Sequence, residues 1–463
     1  MKADKTKTGN FSEGSIASNV LRLAVPMFFA ELVHVLYNIV DRIYIGHMEG
    51  IGTAALTGIG VTVPLVSFIG AFANLGSYGG APLCSIARGE GNTEKASAIQ
   101  DTVFTVLLIF GVLLTVLLGL FRRPLLVWLG GDEQSMPYAM EYFSIYVLGT
   151  VFSVISLGMN AFINMQGFPK IGMGTVIIGA AANIVLDPVF IFVFKMNTAG
   201  AALATVLSQA ISAGWAVLFF TGKKAVLPIR RLRIETQYLG QIFKLGVTGF
   251  CFKITNSLVQ GASNMMLKAW GGSLSTLYIG SMSVINSLRE VVMLPISAFS
   301  GGAQPILGYN YGAGKYRRVL ECIRFETGWI CGINLLLYAC LMLFPKPLVS
   351  LFTDDPALIE LCVPCLRIFF GLYFFMALQH TGQSSFVALN RPKHALFFSL
   401  FRKAILVLPL TLLLPRFGLG AEGVFWAEAI SDIIGGTACF VTFRLTVCRE
   451  LKRRAEEAAE EDR

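Results

Sequence analysis

Apolar stretches of near twenty residues follow one another along the chain, each closed by a short polar loop. About twelve helical spans are predicted, near 22–45, 54–77, 101–121, 138–158, 172–194, 200–221, 244–268, 274–299, 324–344, 361–382, 395–415 and 421–445. A helix satisfies its backbone N–H and C=O groups internally, so it can cross hydrocarbon where an open strand cannot. The expected fold is an all-α polytopic membrane protein. The first span breaks its own apolar pattern with Glu31, His34, Asn38 and Asp41. Their spacings of three, four and three put them on one helical face.

Composition agrees with a bilayer protein: 55% of residues are apolar and only 14% charged, against about 25% charge in soluble domains. Met1 to Asn19 is polar and basic, with neither the apolar core nor the cleavage site of a signal peptide. The formal charge of +9 would suit a nucleic-acid binder, but its distribution reads as topology. About 27 of the 37 Lys and Arg fall in one set of loops, Arg402 and Lys403 among them, and about six in the other. Arg42, Lys253, Arg289 and Arg367 lie within spans. This bias predicts a multi-pass cell-membrane protein with both termini cytoplasmic and no nucleic-acid partner. The tail Arg449–Arg463 alternates charge at helical spacing and reads as a solvated helix. Cys362 and Cys365 form a CxxC without redox context and read as small packing residues.

The chain repeats itself at a shift of 223 residues. Pro82 meets Pro305, Gly89 meets Gly312, Gly91 meets Gly314, Pro124 meets Pro347, Asp132 meets Asp355, Pro169-Lys170 meets Pro392-Lys393, and Gly200 meets Gly423. The first span aligns at 222. Two parallel six-helix repeats follow, as in carriers whose halves rock about a central site. The expected boundaries are a tail over 1–19, an N-lobe over 20–221, a basic linker over 222–243, a C-lobe over 244–445 and a charged tail over 446–463.

Several motifs together resemble the multidrug and toxic compound extrusion (MATE) family. They are Tyr37-Asn-Ile-Val-Asp-Arg-Ile-Tyr-Ile-Gly46, Asn183-Ile-Val-Leu-Asp-Pro188, Gly301-Gly-Ala-Gln-Pro-Ile-Leu-Gly-Tyr-Asn-Tyr-Gly-Ala313 and the paired loops Gln166–Lys170 and Leu389–Lys393. The resemblance covers residues 20–445. It implies two pseudo-symmetric six-helix lobes in a V around a central cavity. It also implies export of organic, often cationic, compounds in exchange for H⁺ or Na⁺. The rival major facilitator superfamily carries a G-x-x-x-D-R-x-G-R type loop after span two, where this chain has Ile86-Ala-Arg-Gly-Glu-Gly-Asn92.

A carboxylate at mid-bilayer costs about 2.5–3.5 kcal/mol on insertion scales, so it needs a partner, a proton or water. Topology puts Asp41, Asn183, Asp187, Tyr142 and Thr205 at similar height in the outer part of the first lobe. The resemblance separately implies that these five residues form the coupling-cation site. Pro188 lacks an N–H, so the Ile184 carbonyl loses its helical partner and becomes a ready oxygen ligand. The site takes either a shared proton or Na⁺ held by Asp41, Asp187 and Asn183. Local pairing of Asp41 with Arg42 is the structural alternative. Pro26 on the same span is a candidate hinge. A deeper set, Glu31, Tyr37, Lys253, Glu290, Gln379 and His380, is expected to line a substrate cavity or to hold it shut by ion pairing. Part of the family carries acidic residues where Lys253 and Met376 stand here, which shifts the expected coupling to the first lobe.

No Ser/His/Asp, metal or phosphate-loop motif appears, so an enzyme is not expected. No cofactor is expected beyond the coupling ion. The expected partners are small organic molecules and the lipid bilayer, with the chain a monomer. Two alternatives remain: a translocator of a lipid-linked or polar metabolite within the same superfamily, and a channel or non-transporting scaffold.

Overall fold

A computed structural model describes residues 10–48, 51–131 and 133–461. Lys2, Lys5, Lys7, Asp132 and the last two residues, which entered the charge and repeat readings, lie outside the described residues. The membrane helices are α1 (Ile16–Gly46), α2 (Gly52–Gly89), α3 (Thr93–Leu120), α4 (Met136–Met165), α5 (Pro169–Val193) and α6 (Asn197–Thr221). They are followed by α7 (Thr236–Trp270), α8 (Ser275–Gly312), α9 (Tyr316–Leu343), α10 (Pro356–Phe370 with Tyr373–Ala388, bent by 43°), α11 (Pro392–Phe417) and α12 (Glu422–Phe443). A terminal helix, α13 (Arg449–Glu461), completes the chain. Eleven helices are long and apolar enough to cross a bilayer, and the bent pair makes a twelfth. Among the described residues there is no strand.

The backbone carries the repeat more clearly than the side chains do. At the 223-residue shift α2 superimposes on α8 and α3 on α9 in both bounds. Gly91 and Gly314 both take positive φ (75° and 71°), as do Gly167 and Asn390 (91° and 53°). These are the left-handed turns that end α2, α8, α4 and α10, and Gly pays no Cβ penalty there. The break in α10 has its counterpart in a 3₁₀ turn over Val147–Gly149 of α4. The fifth helix of each repeat contains a π-helical turn, Val189–Val193 in α5 and Phe401–Val407 in α11. Such turns rotate side chains out of the regular register and recur at functional sites.

The helices form two compact units. The first holds Val25–Phe250, the second Ser12–Ala24 with Cys251–Arg463. The division runs through α1 and α7, and glycine explains it. In the first unit a Cβ on Gly79 would sit 2.2 Å from the Ile242 carbonyl oxygen, and one on Gly246 2.1 Å from that of Leu75. The start of α7 therefore lies with its backbone against α2. In the second unit a Cβ on Gly302, the repeat-mate of Gly79, would sit 2.9 Å from the Ala24 backbone nitrogen. The start of α1 thus packs on α8 as the start of α7 packs on α2. Close backbone approach at small residues is how helices associate in lipid, where lipid tails are as apolar as the side chains.

The basic segment over 222–243 is tied to the first unit. Gln166 Oε1 accepts from the Val226 and Leu227 nitrogens at 2.8 and 3.0 Å, and Gln100 Nε2 donates to the Leu227 carbonyl at 2.8 Å. Arg233 reaches Asp101 at 3.3 Å. The tail is not solvated all round: Leu451 and Ala455 of α13 are buried, Arg391 pairs with Glu450 at 2.6 Å, and Arg454 lies over the Tyr311 and Tyr316 rings. All nine cysteines are free, and Cys362 and Cys365 are buried in the second unit's apolar core.

A side chain at Gly246 must push two backbones apart, so Gly246→Val is expected to destabilise the protein by about 1–3 kcal/mol. Thermal unfolding in detergent reads this. Gly60→Val, where no atom lies within 4 Å of the added Cβ, should leave the transition within about 0.5 kcal/mol of wild type.

Candidate functional site

The helix positions bring the five outer residues of the first unit together. Asp187 is fully buried on α5, one turn above Asn183, whose Nδ2 donates to Asp187 Oδ1 at 3.3 Å. The half-buried Asp41 of α1 lies with its carboxyl group within hydrogen-bond reach of Asp187. Tyr142 on α4 hydrogen-bonds Thr205 on α6 and lies in electrostatic range of Asp41, as does Tyr37. Three oxygens in this cluster, Asp41 Oδ1, Asp187 Oδ2 and Asn183 Oδ1, find no donor among the described residues. Acceptors that face one another in a dry site repel unless a proton or cation stands between them. Arg42 is exposed and Asp41 is half-buried, so the local pairing alternative leaves Asp187 uncompensated.

Sequence reasoning missed the continuation of this cluster. Tyr146 stacks on Tyr142 with centroids 5.8 Å apart, Gln209 Nε2 donates to the Tyr146 hydroxyl at 3.3 Å, and Ser153 donates to Gln209. Tyr142 to Tyr146 and Thr205 to Gln209 are both steps of four along a helix, so the same periodicity that linked Glu31 to Asp41 extends the polar face downward. α5 ends its α-helical course at Pro188 and passes into the π turn, which sets Asp187 at the edge of irregular backbone.

The deeper set is divided between the two units. Glu31 and Tyr37 are half-buried on α1 in the first unit. Lys253 and Glu290 belong to the second unit, both exposed and within electrostatic range of one another. Gln379 is 7% exposed, packed among the helices of the second unit, where its backbone carbonyl accepts from Cys439 Sγ at 3.8 Å. His380 is half-buried beside Arg402. The opening stripe on α1 keeps its helical phase, but His34 and Asn38 are exposed and Asn38 Nδ2 donates to the His34 carbonyl at 2.8 Å. Pro26 sits inside a continuous α1, two residues past the point where the helix leaves one unit for the other.

A family model described as MatE matches residues 26–189 and 254–413, one block in each repeat. The chain belongs to the MATE family of membrane transporters. Among relatives of this MATE protein, the multidrug export protein MepA of Staphylococcus haemolyticus (strain JCSC1435) is 24% identical over 446 residues, covering 94% of this chain and 95% of its own. MepA of Staphylococcus aureus (strain N315) is 23% identical over 443 residues, covering 93% and 94%. A crystal structure described as MATE in the bent conformation has a TM-score of 0.89 at 20% identity, covering 97% of this chain and 99% of that one. An outward-facing multidrug resistance MATE transporter of the MOP superfamily matches with TM-score 0.89 at 20% identity, covering 97% and 98%. These likenesses establish the fold.

The second unit of this MATE protein holds a charge cluster that sequence reading placed wrongly. Arg402 and Lys403 were expected in a cytoplasmic loop. They lie instead within α11, 5% and 2% exposed, on its π turn. They are drawn inward because their counter-charges are there. Arg402 Nη1 reaches Asp432 Oδ1 at 2.9 Å and Glu428 Oε2 at 3.1 Å, and Lys403 Nζ reaches Glu428 Oε1 at 2.6 Å. Arg289 of α8 approaches Glu428 at 3.7 Å. Glu428 and Asp432 are four residues apart on α12, and at the repeat shift they meet Thr205 and Gln209. That correspondence was available in the sequence and would have found them.

Removing one partner of a buried ion pair strands the other. Glu428→Leu leaves Lys403 and Arg402 short of counter-charge and is expected to cost about 3–5 kcal/mol. Breaking the exposed Arg453–Glu457 pair, 3.5 Å apart on α13, with Glu457→Gln should cost under about 1 kcal/mol. Thermal unfolding of the two variants side by side reads the difference.

Proposed function

We propose that this MATE protein is an ion-coupled antiporter that exports organic, cationic or amphipathic compounds by alternating access. The coupling ion, H⁺ or Na⁺, binds between Asp41 and Asp187, with Asn183 beside them and Tyr142 and Thr205 as hydrogen-bonding support. The observation that carries this reading is the pair of carboxyl groups within reach of each other in the first unit, with three acceptor oxygens that no donor among the described residues satisfies. A bilayer does not tolerate that arrangement empty: each ionised carboxylate costs about 2.5–3.5 kcal/mol. Binding a small cation removes the cost, and releasing it restores the cost. A cation therefore has a large differential affinity for two states of the same helices, which is what a coupled conformational change requires.

Two MepA proteins named as multidrug exporters align over nearly the whole chain, which supports the substrate class. The charge bias of the loops supports cytoplasmic termini. Pro26, at the point where α1 passes from one unit to the other, supports a hinge that bends when the carboxyl pair changes occupancy.

In vesicles loaded with a cationic dye, wild type should show efflux driven by an imposed H⁺ gradient or by an imposed Na⁺ gradient. Asp41→Asn should reduce the driven rate at least about tenfold, since it removes more than 1.4 kcal/mol of ion-dependent drive. Efflux in the variant equal to wild type under both gradients would sink the coupling site. Pro26→Ala should slow efflux while leaving membrane insertion and thermal stability near wild type; an unchanged rate rules out the hinge.

A further inference from the structure

The buried cluster of the second unit does not balance. Among the described residues the ion pairs of Arg289, Arg402 and Lys403 all go to Glu428 and Asp432, three cations against two carboxylates. The groups bordering it are Tyr373 on α10, whose hydroxyl lies 2.8 Å from Met293 Sδ, and His380 beside Arg402. Neither supplies the missing negative charge. Arg402 is 5% exposed, yet its Nε has no acceptor among the described residues. An unpaired guanidinium N–H buried away from water forfeits a charge-assisted hydrogen bond. Arg289 is the loosest member: its contact with Glu428 is 3.7 Å, its side chain is 28% exposed, and it rests over the Phe369 ring at 6.0 Å. It is the most exposed member of the cluster, while Arg402 and Lys403 are buried.

We propose that this cluster is an anion subsite that receives a carboxylate carried by a substrate. A monoanion closes the charge deficit of one, and its two oxygens suit the forked donors of Arg402 and Arg289. A phosphate monoester brings more negative charge than the deficit and leaves the cluster unbalanced in the other direction. Phe369, over which Arg289 rests, belongs with Phe370 and Tyr373 to the closed apolar core of the second unit, so the carboxylate approaches from the part-exposed side of Arg289. This inference goes beyond the ion-coupled reading and uses none of its residues. It adds zwitterionic and acidic compounds to the substrates this unit can hold.

The test uses an isosteric pair, 1-naphthoate and 1-naphthamide, titrated calorimetrically into the full chain in nanodiscs, in chloride-free buffer without any ion gradient. Wild type should bind naphthoate at least about tenfold more tightly than naphthamide. Arg289→Met should bring that ratio close to one, and Arg289→Lys should restore part of it. Arg402→Gln should act like Arg289→Met; if it does not fold, the Arg289 pair of variants decides. A wild-type ratio of one overturns the proposal and means the cluster balances itself by a proton lost from Lys403. A ratio that survives Arg289→Met also overturns it. Because no gradient is imposed, a failure of the coupling reading at Asp41 leaves the ratio untouched, so the two ideas fail separately.

Discussion

Charge inside hydrocarbon must be compensated, and everything functional in this molecule follows from how each repeat meets that constraint. The first unit puts two carboxyl groups, Asp41 and Asp187, within reach of one another and, among the described residues, provides no buried cation to neutralise them. The second puts two carboxylates, Glu428 and Asp432, against tethered cations, with Lys403 Nζ 2.6 Å from Glu428. On the coupling proposed above, the compensating charge in one unit comes from outside and can leave again. In the other it is covalently attached and cannot leave.

The scaffold that permits this divergence is a repeated backbone with little repeated chemistry. α2 and α8 agree in length and register, the left-handed turns after them coincide, and both fifth helices carry a π turn. A π turn adds a residue to the helix without ending it, so the side chains beyond it are presented at an angle that regular helix forbids. In α5 the displaced region begins just after Asp187; in α11 it includes Arg402 and Lys403 themselves. The same distortion serves a carboxylate in one repeat and its opposite charge in the other. Glycine does comparable work near the start of each repeat, where Gly79, Gly246 and Gly302 let backbones touch and tie the early part of α1 and of α7 to the helix they pack on.

Much of the architecture was legible because bilayer constraints are severe. The length of apolar runs reads out the spans, the prolines and glycines at a fixed shift read out the repeat, and the carboxylates in the first and fifth spans stand out because lipid rejects them. Motif resemblance supplied the expected membership of the candidate site. The Tyr146–Gln209–Ser153 extension was not seen because neutral polar residues are common helix–helix contacts in membranes and carry no signal alone. Arg402 and Lys403 misled for a sharper reason. Counting basic residues by loop assumes that a cation near a span boundary lies in water. Glu428 and Asp432, twenty-five and more residues further on, reverse that assumption, and only pairing across helices reveals it. Where Lys and Arg stand within about ten residues of a span boundary, acidic residues at helical spacing in the neighbouring span are the signal to look for.

The two solutions also differ in what they cost when disturbed. A site compensated by an exchangeable cation passes through an uncompensated state in every cycle, so its helices must tolerate that state briefly. On the proposed coupling, this suits the unit where α1 carries a proline and Asp41 is only half-buried. A site compensated by its own side chains never has to pass through such a state, and it can be packed to a few per cent exposure among Phe369, Phe370 and Phe425. If the second cluster were balanced it would be structural ballast. With one cation in excess and one buried guanidinium N–H unused among the described residues, it retains a demand that the proposed anion subsite answers with a single negative charge.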